Sequence, residues 1–174
     1  HPMAQGVALE GMKLVHDNLP QACADGTDIV ARSNMLAASI MGATAFQKGL
    51  GGVHALSHPI GAVFDTHHGL ANAIMLPYVL VRNQAAIEQR LTDAARYIGL
   101  QDASFTGFLD WILRLRADLN IPHSLAEIGI DESRADEIGA AAKQDPSDGG
   151  NPVKPTPADY TAIFIAAANG AACK

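Results

Sequence analysis

The stretch Gly51-Gly52-Val53-His54-Ala55-Leu56-Ser57-His58-Pro59-Ile60-Gly61, followed closely by Asp65-Thr66-His67-His68-Gly69, holds four of the chain's seven histidines. They lie in an otherwise apolar, helix-forming sequence. A neutral imidazole nitrogen binds divalent metals, and the same ring carries a proton near neutral pH. His54 and His58 are four apart, so on a helix they share a face. A site built on His54 and His68 draws one ligand from this helix and one from the start of the next. Two ligands are too few, since a closed zinc site takes four and a catalytic site about three protein ligands. Asp65 is the local carboxylate, either a ligand or a partner that orients an imidazole. His58 completes the site or stands beside it as a proton relay. His67 points elsewhere if helical. The competing reading is that these rings simply satisfy backbone carbonyls in a helical core. His16 and His123 stand alone and are given no chemistry.

Working outward, Gly49, Gly51 and Gly52 break the pattern just before the first clustered histidine. Pro59 is expected at the edge of a short helix, with a loop over Gly61 to Thr66. The next helix begins near His68 or Gly69 and runs through Asn72, Ile74 and Leu76, and Pro77 predicts a kink or break. Upstream, a helix spans Ala4 to His16 with Val7, Ala8, Leu14 and Val15 on its buried side, stopped at Asn18-Leu19-Pro20. Thr27 is expected to cap a second helix from about Asp28 to Phe46. That helix carries Ile29, Val30, Met35, Leu36 and Ile40, and small residues such as Ala37, Ala38 and Gly42 that admit a close neighbour. Downstream, Ile87 to Ile98 and Phe105 to Leu119 are amphipathic, and Asp131 is expected to cap a helix to about Lys143. Thr156, Pro157 and Asp159 mark the clearest helix start. Asp145 to Pro152 is too rich in turn residues to be regular. With no strand alternation and no internal repeat, the chain reads as all-α, a helical bundle-like domain.

The bulk properties agree. The 174 residues fit one domain with a substantial core. Aromatics are 5% of the chain against 48% hydrophobic residues, which favours helix over strand. A net charge of -6 argues against a nucleic-acid partner. No stretch is read as apolar over the roughly 18 residues a membrane helix needs, so no membrane partner is expected. Cys23 and Cys173 belong to no paired motif and read as ordinary thiols of a reducing cytoplasm.

Residues Gly51 to Pro77, GGVHALSHPIGAVFDTHHGLANAIMLP, resemble the C-terminal metal-binding signature of the iron-containing (group III) alcohol dehydrogenases. The resemblance extends to His1-Pro2-Met3-Ala4-Gln5-Gly6 through Met12, to Ala31-Arg32 with Met35, and to Ala45 through Gly51. It also takes in Ile121-Pro122 and Gly149-Gly150-Asn151-Pro152. It implies the all-helical, metal-carrying domain of a two-domain enzyme, with the NAD(P)-binding α/β domain absent from residues 1–174. The family's metal is held by an Asp and a His one turn apart and by two later histidines, which match His54 and His68. The first two ligands are expected to precede residue 1, and no glycine-rich dinucleotide loop lies within the chain. His58 matches a family histidine close to metal, substrate and nicotinamide, which implies the catalytic proton relay. Phe46 and the Asp145 to Asn151 loop are candidates to face the substrate cleft, simple core packing being the competing reading for Phe46. Ser147 and Asp148 fall at places that vary in the family and are expected to tune specificity.

The function so implied is NAD(P)- and metal-dependent interconversion of alcohols with aldehydes or ketones, using Fe(II) or, in some relatives, Zn(II). The chain alone is expected to be inactive, to hold metal weakly and to form a homo-oligomer through apolar surface left open. Two alternatives are a metal-dependent lyase of the dehydroquinate synthase-like relatives and a non-catalytic helical module.

Overall fold

The computed structural model describes residues 1–171, and Cys173 lies outside the described residues. Seven α-helices occur among them: α1 (Pro2–Ala24), α2 (Ile29–Ala45), α3 (Gly52–Phe64), α4 (His68–Ile98), α5 (Phe105–Asp118), α6 (Ala135–Gln144) and α7 (Pro157–Ala168). No β-strand occurs among the described residues, as the all-α reading expects. The helices group into two compact units. One contains residues 1–48 and 88–119, and the other contains residues 49–87 and the chain from Asn120 onward.

In the first unit α1 and α2 pair closely because Gly11 lets them approach. A Cβ there would stand 3.3 Å from Met41 Cβ. Ala31 and Ala38 are the buried residues of α2, so its small side chains do admit a neighbour. The large ones face outward: Ile29, Val30, Leu36 and Ile40 are 62–71% exposed. The expectation that no stretch reaches membrane-spanning length is corrected here. Residues Ile29–Lys48 meet that test by length and composition, because Arg32 and Lys48 are their only charges. Elsewhere in this unit His16 meets the edge of Trp111 with ring centroids 5.6 Å apart.

The second unit holds a continuous core from α3, α4, α6 and α7. Leu56, Ile60, Ile74, Met75, Ile138, Tyr160 and Phe164 are all fully buried in it. The expected start of α7 is present in full. The Thr156 hydroxyl accepts from the Asp159 amide, the Asp159 carboxylate accepts from the Thr156 amide, and Pro157 opens the helix.

Several helix ends differ from expectation, and each difference has a tertiary cause. Pro20 does not stop α1, which runs four residues further to Ala24. Pairing with α2, including Asn34 Nδ2 donating to Asn18 Oδ1 at 2.8 Å, outweighs the roughly 3 kcal/mol cost of an interior proline. Pro77 likewise does not break α4, which is one 31-residue helix with Pro77 fully buried. Helix α3 continues through Gly61 to Phe64 and ends only where Asp65 turns left-handed at φ 52°. Asp28, not Thr27, caps α2, its carboxylate accepting from the Ala31 amide at 2.9 Å. Asp131 caps a short 3₁₀ turn, Glu132–Arg134, which leads into α6.

Helices α6 and α7 meet at Gly139. A Cβ there would overlap Thr161 Oγ1 and stand 2.7 Å from the Pro157 carbonyl oxygen. Helix propensity alone would favour Gly139→Ala by about 1 kcal/mol. The backbone oxygen cannot give way, and overpacking costs about 1–3 kcal/mol. Gly139→Ala is therefore expected to lower stability, read as a lower denaturation midpoint, and a raised midpoint would refute this packing account.

Candidate metal and proton-relay site

The site lies wholly within the second unit. Gly51 and Gly52 open α3 where the loop before α7 crosses it. The Gly52 amide donates to Asn151 Oδ1 at 3.0 Å, and a Cβ at Gly52 would lie only 3.1 Å from that oxygen. Asn151 also exchanges two hydrogen bonds with Asn83 of α4, at 2.9 and 3.0 Å, and donates to the Val153 carbonyl at 2.8 Å. This buried amide network fixes the first turn of α3, and with it His54 two residues on.

Three of the four clustered histidines come together as expected. The rings of His54 and His68 lie 5.3 Å apart and those of His54 and His58 lie 5.7 Å apart. His58 and His68 stack nearly parallel, at 5.3 Å and 14°. Asn72, one turn beyond His68 on α4, aims its amide nitrogen at both neighbours. Nδ2 is 3.0 Å from His68 Nε2 and 3.5 Å from His54 Nε2. Burial, reinforced by the nearby His68 and His58, lowers the pKa of His54, while Asp145 pulls weakly the other way. The ring is therefore neutral at pH 7, the form that binds a metal.

His58 Nδ1 lies 2.8 Å from Asp145 Oδ2. Burial raises the pKa of Asp145, but hydrogen bonds from the Ser147 amide and hydroxyl and from His58 prevail, so the net shift is downward. His67 takes another part, its Nδ1 accepting from the Leu70 amide at 3.4 Å in the first turn of α4. Asp65 is exposed and serves as the left-handed end of α3. Ser147 and Asp148, expected to tune specificity, are engaged in the fold. Ser147 is buried, and Asp148 accepts from Lys143 and from the Tyr160 hydroxyl, both at 2.9 Å. Phe46 is half-exposed in the first unit. Sequence reasoning missed Asn72, Asn151 and the pairing of Asp145 with His58. Only Asn72 left a local signal, its spacing of four from His68.

The residues present fit part of a transition-metal site. The Nε2 atoms of His54 and His68 both face the Asn72 amide nitrogen, and Asn72 Oδ1 is buried without a hydrogen-bond partner. Imidazole suits iron and zinc among the divalent metals. Among the described residues no group of three or more His, Cys, Asp or Glu side chains is arranged to hold an ion. A cleft of about 620 Å³, lined by Val53, His54, Asn72, Leu76 and Asn83 among others, opens beside these nitrogens.

An all-helical module with paired imidazoles of this kind defines a class, and comparison with known proteins gives the family. The profile described as "Fe-containing alcohol dehydrogenase family, C-terminal" matches residues 1–168, and the chain belongs to that family. It is 33% identical over 172 residues to 1,3-propanediol dehydrogenase of Citrobacter freundii, covering 94% of this chain and 44% of that protein. It is 36% identical over 169 residues to 4-hydroxybutyrate dehydrogenase of Cupriavidus necator, covering 92% and 44%. The solved structure of a 1,3-propanediol oxidoreductase superposes with a TM-score of 0.92 at 32% identity, covering 96% of this chain and 46% of that one. The chain thus spans less than half the length of the curated relatives it matches.

Asn151 makes every hydrogen bond its amide can make, and its removal strands the Gly52 amide and the Asn83 side chain. Each buried group left unpaired costs about 1–3 kcal/mol. Asn151→Ala is expected to lower unfolding free energy by about 2–6 kcal/mol in chemical denaturation, a sum of two such penalties. A change under about 0.5 kcal/mol, the scale of an ordinary surface substitution, would show that the network does not hold α3.

Proposed function

We propose that the protein carrying this chain is an NAD(P)-dependent, metal-dependent oxidoreductase that interconverts small alcohols with aldehydes or ketones. The supporting observation is the gathering of His54, His58 and His68 within 5.3–5.7 Å of one another in a chain of this family. In this reading His54 and His68 supply two ligands to a divalent ion, Fe(II) or in some relatives Zn(II). When bound, the ion supplies Lewis-acid chemistry and the nicotinamide supplies hydride transfer. Dinucleotide binding falls to sequence outside residues 1–174, as does the rest of the ligand set.

The chain's own residues have defined tasks. Neutral His54 and His68 anchor without cancelling an ion's charge. Asn72 holds the two Nε2 edges together in the absence of an ion, and its amide would give up those contacts when an ion takes the same lone pairs. His58 has its side chain 42% exposed, so it touches both the cluster and solvent. That position lets it take the alcohol's proton and pass it outward. The relatives named as 1,3-propanediol and 4-hydroxybutyrate dehydrogenases point to short hydroxylated compounds as substrates. Homo-oligomerisation belongs to the same proposal, because association would cover Ile29, Val30, Leu36 and Ile40 on α2.

The test is a screen of short alcohols, diols and hydroxy acids with NAD⁺ and NADP⁺ after loading with Fe(II) or Zn(II). Reduction of the nicotinamide by at least one of them is expected, and failure with all would remove the dehydrogenase reading. His58→Ala should lower kcat by about 10²–10⁴-fold with bound metal unchanged. His54→Ala or His68→Ala should instead reduce the metal content found by elemental analysis.

A further inference from the structure

We propose that Asp145 is a positioning residue: its carboxylate accepts the Nδ1–H of His58 and so holds that ring in one tautomer and one orientation. The inference rests on the relay reading of His58 for its catalytic meaning, but its geometry stands independently.

Asp145 and His58 are 87 residues apart in sequence and 2.8 Å apart in space. An ionised carboxylate only accepts hydrogen bonds. The hydrogen bonds of Ser147 and His58 keep the Asp145 carboxyl below its ordinary range, so it is ionised at neutral pH. The shared proton must then sit on Nδ1. Nε2, on the far side of the ring, is left bare and able to accept a proton. A carboxylate behind a histidine fixes tautomer and direction in this way in metal sites and in acid–base catalysis.

Asp145 is itself held rigidly. Its other oxygen, Oδ1, accepts from the Ser147 amide at 2.8 Å and caps the 3₁₀ turn Pro146–Gly150. Pro146 fixes the next backbone angle, and the Asp145 side chain is only 13% exposed. The far end of the turn is clamped twice. Gly150 packs so tightly on the Leu50 carbonyl that any Cβ would overlap it, and Asn151 binds the Gly52 amide. The turn and the start of α3 therefore form one frame, with Asp145 and His58 facing each other across it. His58 needs this support, because a half-exposed imidazole on a helix surface otherwise samples several rotamers.

The first test needs neither metal nor cofactor. In ¹⁵N-histidine-labelled protein, above the pH at which the ring is charged, long-range ¹H–¹⁵N spectra report the tautomer of each histidine. The His58 signals are assigned by their loss in His58→Gln. The wild type should carry its proton on Nδ1. Asp145→Ala should shift the population to the Nε2–H form. Asp145→Asn keeps a good cap for the 3₁₀ turn, and should give a mixture of the two forms because an amide can accept or donate. A wild-type proton on Nε2, or spectra unchanged in both variants, would overturn the proposal.

Turnover supplies the second readout. In the loaded enzyme Asp145→Asn should lower kcat by about 10–100-fold, with metal content and the KM for alcohol unchanged. Impaired His58→Ala alongside normal Asp145→Asn would overturn the positioning role and leave the relay intact. Normal turnover in His58→Ala would instead defeat the relay reading and, with it, the catalytic role given to Asp145, while the tautomer result would stand.

Discussion

The side-chain amide of Asn151 is the constraint on which the second unit depends. It bonds the first turn of α3, the middle of α4 and the loop before α7 at once. Those three segments carry every member of the histidine site: His54 and His58 on α3, His68 and Asn72 on α4, Asp145 at the head of the loop. An apolar core could hold the same helices together. It could not fix their register as sharply, because dispersion contacts tolerate sliding and rotation that directed hydrogen bonds do not. Gly52 shows how tight the requirement is. Any side chain there would press on the Asn151 oxygen and on Val79 Cγ1, 3.2 Å away.

Electrostatics then decide what the gathered rings can do. Three imidazoles within 6 Å of one another cannot all be charged cheaply. The most buried, His54, bears the main cost and is held neutral. His58 sits in a different environment, with its side chain 42% exposed and its Nδ1 2.8 Å from the Asp145 carboxylate. The two roles proposed for His54 and His58, metal ligand and proton carrier, thus fall in different environments, although both are histidines one turn apart on the same helix.

The fold class was legible because helix-favouring composition and the absence of alternating strands are properties of the whole chain. The Thr156-Pro157-Asp159 start was legible because a capping box is local. The prolines misled for the opposite reason. Pro20 and Pro77 break isolated helices, but here the packing of the helices that contain them offsets that cost, and that contribution is invisible along the sequence. The histidine spacing gave His54, His58 and His68 correctly as neighbours. It could not give Asp145, which reaches His58 only because Asn151, Gly52 and Gly150 bring a distant turn against α3. The small residues of α2 were legible as admitting a close neighbour, but nothing in the sequence showed that Gly11 of α1 would be the point of approach.

One contrast separates the frame from the site. Asn83 and Asn151 are buried amides with both their oxygens and nitrogens engaged, as a structural network requires. Asn72 has its nitrogen on the histidine Nε2 atoms and its buried oxygen without a partner. A buried unpaired amide oxygen costs about 1–3 kcal/mol, and a core built only for stability would place an apolar residue there. The chain instead keeps the polar group one turn from His68, beside the two nitrogens that would bind an ion. The satisfied amides of Asn83 and Asn151 are the kind of support that a preorganised site such as the one proposed would need.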